Sequence, residues 1–257
     1  MDKKNQITEG VIWKQLLIFF FPIMVGTLFQ QLYNTVDAII VGRFVGKQAL
    51  ASVGGSAAVL TNFVIGFFTG LSAGATVIIS QFYGAKNLKQ LSKGLHTAYA
   101  FSITVSILIS VIGWFSTPAL LHLLKTPADV IPDSILYLRI YFLGMIFTLT
   151  YNMGSSIMRA IGDSRRPLIY LVICCVINII LDILFVIVFH MGIAGAAIAT
   201  VISQGVSAIL VTRSLMKSYG ILKLELRAIR FHGALLKSEL KIGLPGGIQS
   251  FGYSISN

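Results

Sequence analysis

Two aspartates interrupt apolar runs: Asp37 in "FQQLYNTVDAIIVG" and Asp182 in "NIILDILF". At bilayer depth a carboxylate costs several kcal/mol unless something compensates it. Gln30, Tyr33 and Asn34 precede Asp37 by seven, four and three residues and share its helical face, and Asn178, four before Asp182, shares that of Asp182. Both acids fall roughly 9–12 Å inside the outer end of their spans at 1.5 Å per residue. Thr200 on the following helix reaches the same level, and Asn152 lies deeper. Two carboxylates, a side-chain amide and a hydroxyl suit a proton relay or a hard monovalent cation. The bland alternative is that these groups hold helices together by hydrogen bonds. A structural buried acid wants a basic counter-ion, and the spans offer none at that depth, so ion binding is the expectation.

Other chemistry finds less support. "GLSAG", residues 70–74, fits the G-x-S-x-G nucleophile pattern, but that pattern needs a strained strand-to-helix turn. Ser72 falls inside an expected helix, where Gly66, Gly70 and Gly74 read as small residues spaced for close helix packing. His96, His122, His190 and His232 lack ligand spacing, so no transition-metal site is expected. No G-x-x-x-x-G-K-[ST] loop is present for ATP. Cys174 and Cys175 are adjacent in an apolar span and are expected to pack as small apolar groups.

The elements that must position the acids follow from composition. Hydrophobic residues make up 56% of the 257 and charged residues only 11%, against about 25% in soluble domains, which marks an integral membrane protein. A crossing helix needs about 20 residues. Six stretches qualify, approximately 15–42, 51–80, 95–121, 135–158, 167–190 and 193–215. They are too long for barrel strands and lack strict alternation. With the N-terminus in the cytoplasm, all but Arg43, Lys47, Lys125 and Arg139 of the 20 basic residues fall on the cytoplasmic side. The net charge of +11 is therefore topological, and no nucleic-acid partner is expected. "MDKKNQITEGVIWKQ" has no small-residue cleavage site after a short apolar core, so a removable signal peptide is not expected.

After the sixth span, "ILKLELRAIRFHGALLKSELK" is too charged to cross and suits a segment on the cytoplasmic membrane surface. "KSELKIGLPGGIQSFGYSISN" then aligns without a gap on "KQLLIFFFPIMVGTLFQQLYN", matching Lys237 with Lys14, Pro245 with Pro22 and Asn257 with Asn34. That recurrence points to a six-plus-six repeat cut inside its seventh helix. The expected fold is all-α: a six-helix transmembrane lobe over 1–218, an amphipathic inter-lobe loop over 219–240, and the beginning of a seventh helix over 241–257. Pro22, mid-helix in the first span, is either a static bend or a hinge beside Asp37.

"FQQLYNTVDAIIVGRFVGKQALASVG", "SQFYGAKN", "RAIGDSRRP", "NIILDILF" and "GIAGAAIAT" stand in an order that resembles the multidrug and toxic compound extrusion (MATE) family. The likeness covers essentially the whole chain. It implies one lobe of a two-lobed secondary antiporter that expels cationic and amphipathic compounds in exchange for Na+ or H+. It further implies a cation site at Asp37, Asn178, Asp182, Thr200 and Asn152, with Gln30, Tyr33, Asn34 and Ser155 in the substrate cavity. The remaining expectations are a multi-pass cell-membrane protein, monomeric at full length and not an enzyme, with no cofactor beyond the coupling ion. This half alone is not expected to transport. The alternatives are a flippase for a lipid-linked precursor, whose cavity would be cationic, an intramembrane hydrolase using Ser72, and a passive channel.

Overall fold

The computed structural model describes residues 12–217 and 223–256. Lys3 and Lys4, the first residues of the inter-lobe segment and Asn257 lie outside the described residues. The helices are α1 (Ile12–Ile40), α2 (Lys47–Gly54), α3 (Ser56–Gly84), α4 (Leu88–Leu123), α5 (Ile131–Leu143), α6 (Met145–Ala160), α7 (Arg165–Asp182), α8 (Gly192–Lys217) and α9 (Gly233–Ser256). Apolar stretches long enough to cross a bilayer run over Trp13–Val45, Lys47–Gly84, Leu88–Leu123, Arg165–Val188 and Gly192–Lys217. α5 and α6 make a sixth only as a pair bent by 50°.

The bend is a correction to the continuous span expected over 135–158. "YFLGMIF" carries no breaking signal other than Gly144. A Cβ there would collide with the Val201 side chain of α8, so the close approach of α8 leaves room only for glycine. Turn chemistry sets the other boundaries. Asn87 caps α4 by accepting a hydrogen bond from the Gln90 N–H at 3.2 Å. Asp163 of "RAIGDSRRP" accepts one from the Arg166 N–H at 3.1 Å and pairs with its guanidinium at 3.4 Å. Both satisfy donors that a helix start leaves open.

The core lies among α3, α4, α6 and α8 and holds Phe68, Ile79, Leu95, Tyr99, Met153 and Val211. Large apolar side chains such as Phe21, Phe115 and Ile180 point outward, as expected where lipid replaces water as the surrounding medium.

α9 packs along α3 through glycines. A Cβ on Gly243 would sit 2.5 Å from the Leu71 carbonyl oxygen, and one on Gly74 would sit 2.6 Å from the Gly243 nitrogen. Backbone cannot yield as a side-chain tip can, so the seam depends on the missing side chains. Ser72 lies in the same turn, fully buried, with its hydroxyl donating to the Phe68 carbonyl at 2.9 Å. It sits in continuous helix, without the turn a nucleophile needs.

α9 begins already at Gly233, so residues 233–240 at the end of the expected inter-lobe loop are helical and continuous with the seventh helix. Lys237 and Lys241 stay exposed while Glu239 turns inward, 4% exposed. Its Oε1 has no hydrogen-bond partner among the described residues.

Candidate functional site

α1, α2, α3, α5, α6 and α7, with Gln204 of α8, line a cavity of about 410 Å3, within the range that holds drug-sized ligands. Pro22, Gln30, Tyr33, Asn34 and Asp37 line it from α1, Tyr137 and Tyr141 from α5, and Asn152 and Ser155 from α6. Asp37 is 8% exposed, at the cavity wall. Asp182 and Asn178 lie off the cavity and are fully buried.

The two acids meet. The Asp37 and Asp182 side chains are within hydrogen-bonding reach of each other. Asp37 Oδ1 and both Asp182 oxygens find no donor among the described residues, and both amide atoms of Asn178 are equally unpartnered. Ionised carboxylates only accept, so two facing each other need a proton or a cation between them.

Two local irregularities lie just beyond them. α1 passes into a π-helical turn, Val41–Val45, one turn after Asp37, and α7 into another, Ile183–Val188, directly after Asp182. The two turns pack against each other. Each extra residue rotates the following face by about 100°, and such turns recur at functional sites. "VGRFV" and "ILFVIV" carry no signal for them.

Hydroxyl groups surround the pair. Thr200 donates to the Ala196 carbonyl at 3.0 Å, which leaves its lone pairs free, and the Tyr33 hydroxyl comes within reach of them. Tyr137 and Tyr141 stack with ring centroids 6.0 Å apart and stand in the field of Asp37. The sequence reading missed both, although their spacing of four in an apolar span would have placed them on one helical face. It also missed Gln204 of α8, which lines the cavity and whose Oε1 has no partner among the described residues.

Asn152 is not brought to the acids by any hydrogen bond: its amide donates to the Thr148 carbonyl of its own helix at 2.9 Å. Pro22 is buried in the cavity wall, and α1 continues through it as one helix. Arg159 is the lone base among the described residues that line the cavity. It lies at the α6 C-terminus beside the start of α7, and Asp182 ends α7 about 25 Å away at 1.5 Å per residue.

A family model described as MatE matches residues 22–184. The chain is 34% identical to the probable multidrug resistance protein YpnP of Bacillus subtilis, over 96% of this chain and 55% of that protein. It is 23% identical to the multidrug export protein MepA of Staphylococcus saprophyticus, over 94% of this chain and 53% of that protein. A solved outward-facing multidrug resistance MATE family transporter of the MOP superfamily superposes with a TM-score of 0.86 at 25% identity, covering 95% of this chain and 54% of that one. The chain spans about half the length of the curated relatives it matches.

Proposed function

Because the chain belongs to the multidrug and toxic compound extrusion family of membrane transporters, we propose that it forms one lobe of a secondary antiporter exporting cationic and amphipathic organic compounds in exchange for Na+ or H+. The observation that carries this reading is the donor-free carboxyl pair of Asp37 and Asp182, one member of which reaches the wall of a drug-sized cavity. A proton or sodium ion bridges the pair, with Asn178 and Thr200 as neighbouring oxygen ligands. Gln30, Asn34, Ser155 and the tyrosines offer the cavity hydrogen bonds and aromatic faces for an organic cation.

Coupling needs only that cation and drug prefer different states or compete for Asp37. A cation arriving at the pair neutralises the charge that holds the drug, and the drug leaves. Pro22 removes one backbone hydrogen bond from α1, which lets the helix bend as the cavity changes shape. The basic loops after α3, α6 and α8 face the cytoplasm, and the protein resides in the cell membrane. A lipid-linked-precursor flippase is less well supported, because Arg159 is the single base among the described residues that line the cavity.

The test is efflux of a fluorescent cationic dye from proteoliposomes holding the transporter that contains this chain. Sodium and pH gradients are imposed separately, for wild type and Asp37→Asn. The expected result is gradient-driven efflux lost in the variant, with the effective gradient naming the ion. Undiminished efflux in Asp37→Asn would move coupling away from the pair.

A further inference from the structure

A second cavity, of about 270 Å3, lies between the start of α4 and the segment joining α8 to α9. Two histidine contacts hold that segment against α4. The His96 Nδ1–H donates to the Ser92 carbonyl at 2.7 Å, and its Nε2 accepts from the Glu225 backbone N–H at 3.0 Å. Both bonds form only with a neutral ring protonated on Nδ1. The next residue, Thr97, donates its hydroxyl to the Lys93 carbonyl at 2.8 Å. The same oxygen accepts from the His232 backbone N–H at 3.3 Å and from the His232 Nδ1–H at 3.1 Å. Tied at Glu225 and His232, the stretch between them arches over the cavity.

Lys93, Lys223 and Arg230 converge on this space against a single acid, Glu225. None of the three makes a salt bridge with an acid among the described residues. His232 Nε2 is shielded from solvent and has no partner among the described residues either. Desolvation of the ring, and after it the charges of Arg230 and Lys93, hold the His232 imidazole below its usual value. Cations gathered in excess of acid by a folded segment form a ready anion site. The same segment exposes Leu226 and Phe231, at 56% and 47%. Apolar side chains beside a basic cavity fit the boundary between headgroups and acyl chains.

We propose that this cavity is a phosphate-binding site that takes the headgroup of an anionic phospholipid, with Lys93, Lys223 and Arg230 on the phosphate oxygens and the Nε2–H of His232 as a further donor once the ring takes up a proton. The bound lipid ties α4 to the segment leading into α9. This inference does not depend on the coupling ion or on transport.

The experiment counts phosphatidylglycerol retained by the transporter containing this chain. The protein is released from nanodiscs of mixed phosphatidylcholine and phosphatidylglycerol and weighed by native mass spectrometry. Lys223→Ala with Arg230→Ala is expected to lower retention about thirtyfold, from about 1 kcal/mol for each basic residue near an anionic surface. A control of equal charge, Lys89→Ala with Lys237→Ala, should leave retention within about twofold. Glu225→Gln keeps the backbone bond to His96 and should raise retention about fivefold, which guards against misfolding of the double variant. In parallel, inorganic phosphate is titrated into the detergent-purified protein while the His232 ring is followed by NMR. Phosphate should compete with the lipid and raise the His232 titration midpoint, because it offsets the charges that depress it. Equal lipid loss in the double variant and the control would overturn the site in favour of diffuse surface charge. Phosphate binding at these cations without lipid retention would overturn the lipid assignment and identify a free phosphate ester as the ligand.

Discussion

Replacing either acid of the Asp37–Asp182 pair by asparagine separates an ion site from structural glue. The side chains lie within hydrogen-bonding reach of each other. Two full charges about 4 Å apart repel by about 4 kcal/mol at an effective dielectric constant of about 20. Asp182 is fully buried and Asp37 nearly so, and no donor among the described residues offsets the repulsion. It acts in full only when neither proton nor cation bridges the oxygens, so it is read at high pH without sodium. Under those conditions Asp182→Asn removes one charge and gives Asp37 an amide donor. The variant should be more stable than wild type by about 2–5 kcal/mol, measured as thermal unfolding in detergent by intrinsic fluorescence. Added sodium or lowered pH should close the gap by stabilising wild type alone, by about 2.7 kcal/mol at a hundredfold excess over Kd. If the acids serve only as interhelical hydrogen-bond partners, Asp182→Asn will lose stability at every pH and sodium will make no difference. That result would refute the reasoning.

The α3–α9 seam should be intolerant of volume: Gly74→Val should destabilise by about 1–3 kcal/mol or more, read as a lower melting temperature, because the clash is with the Gly243 backbone. Ser72→Ala deletes a buried hydroxyl bonded only within its own helix, so dye efflux should be retained and stability should change by about 1 kcal/mol at most. Glu239→Met replaces a buried acid whose Oε1 is unpartnered among the described residues. It should raise thermal stability by about 1–3 kcal/mol.

The crossing helices were legible because apolar length dominates in lipid, where every backbone group must bond within its own segment. The membrane class and the family followed from that length and from the ordered motifs. Asp37 and Asp182 stood out as the acids inside apolar runs, and the structure sets them side chain to side chain. Details that depend on neighbours were not legible. Gly144 is the sole local mark of the bend, and the neighbour that leaves no room for a side chain there is Val201 in α8, distant in sequence. The π turns after the two acids arise in plain apolar sequence, where an i→i+5 register leaves no compositional trace. The start of α9, residues 233–240, read as part of the surface segment because apolar and charged residues mix there. One face of it, carrying Glu239, is buried. Tyr137 and Tyr141 carry no charge to stand out in an apolar span, and their place beside the acids depends on how α5 packs.

The most direct measurement is cation binding to the purified transporter containing this chain. Radioactive sodium binding and proton release are recorded together for wild type, Asp37→Asn, Asp182→Asn and the double variant. A shared site predicts that each single substitution abolishes the binding or release seen in wild type, and that the double variant is no worse than either single. Full binding retained with either acid alone would contradict a bridging ion and leave two independent carboxylates in place of one site.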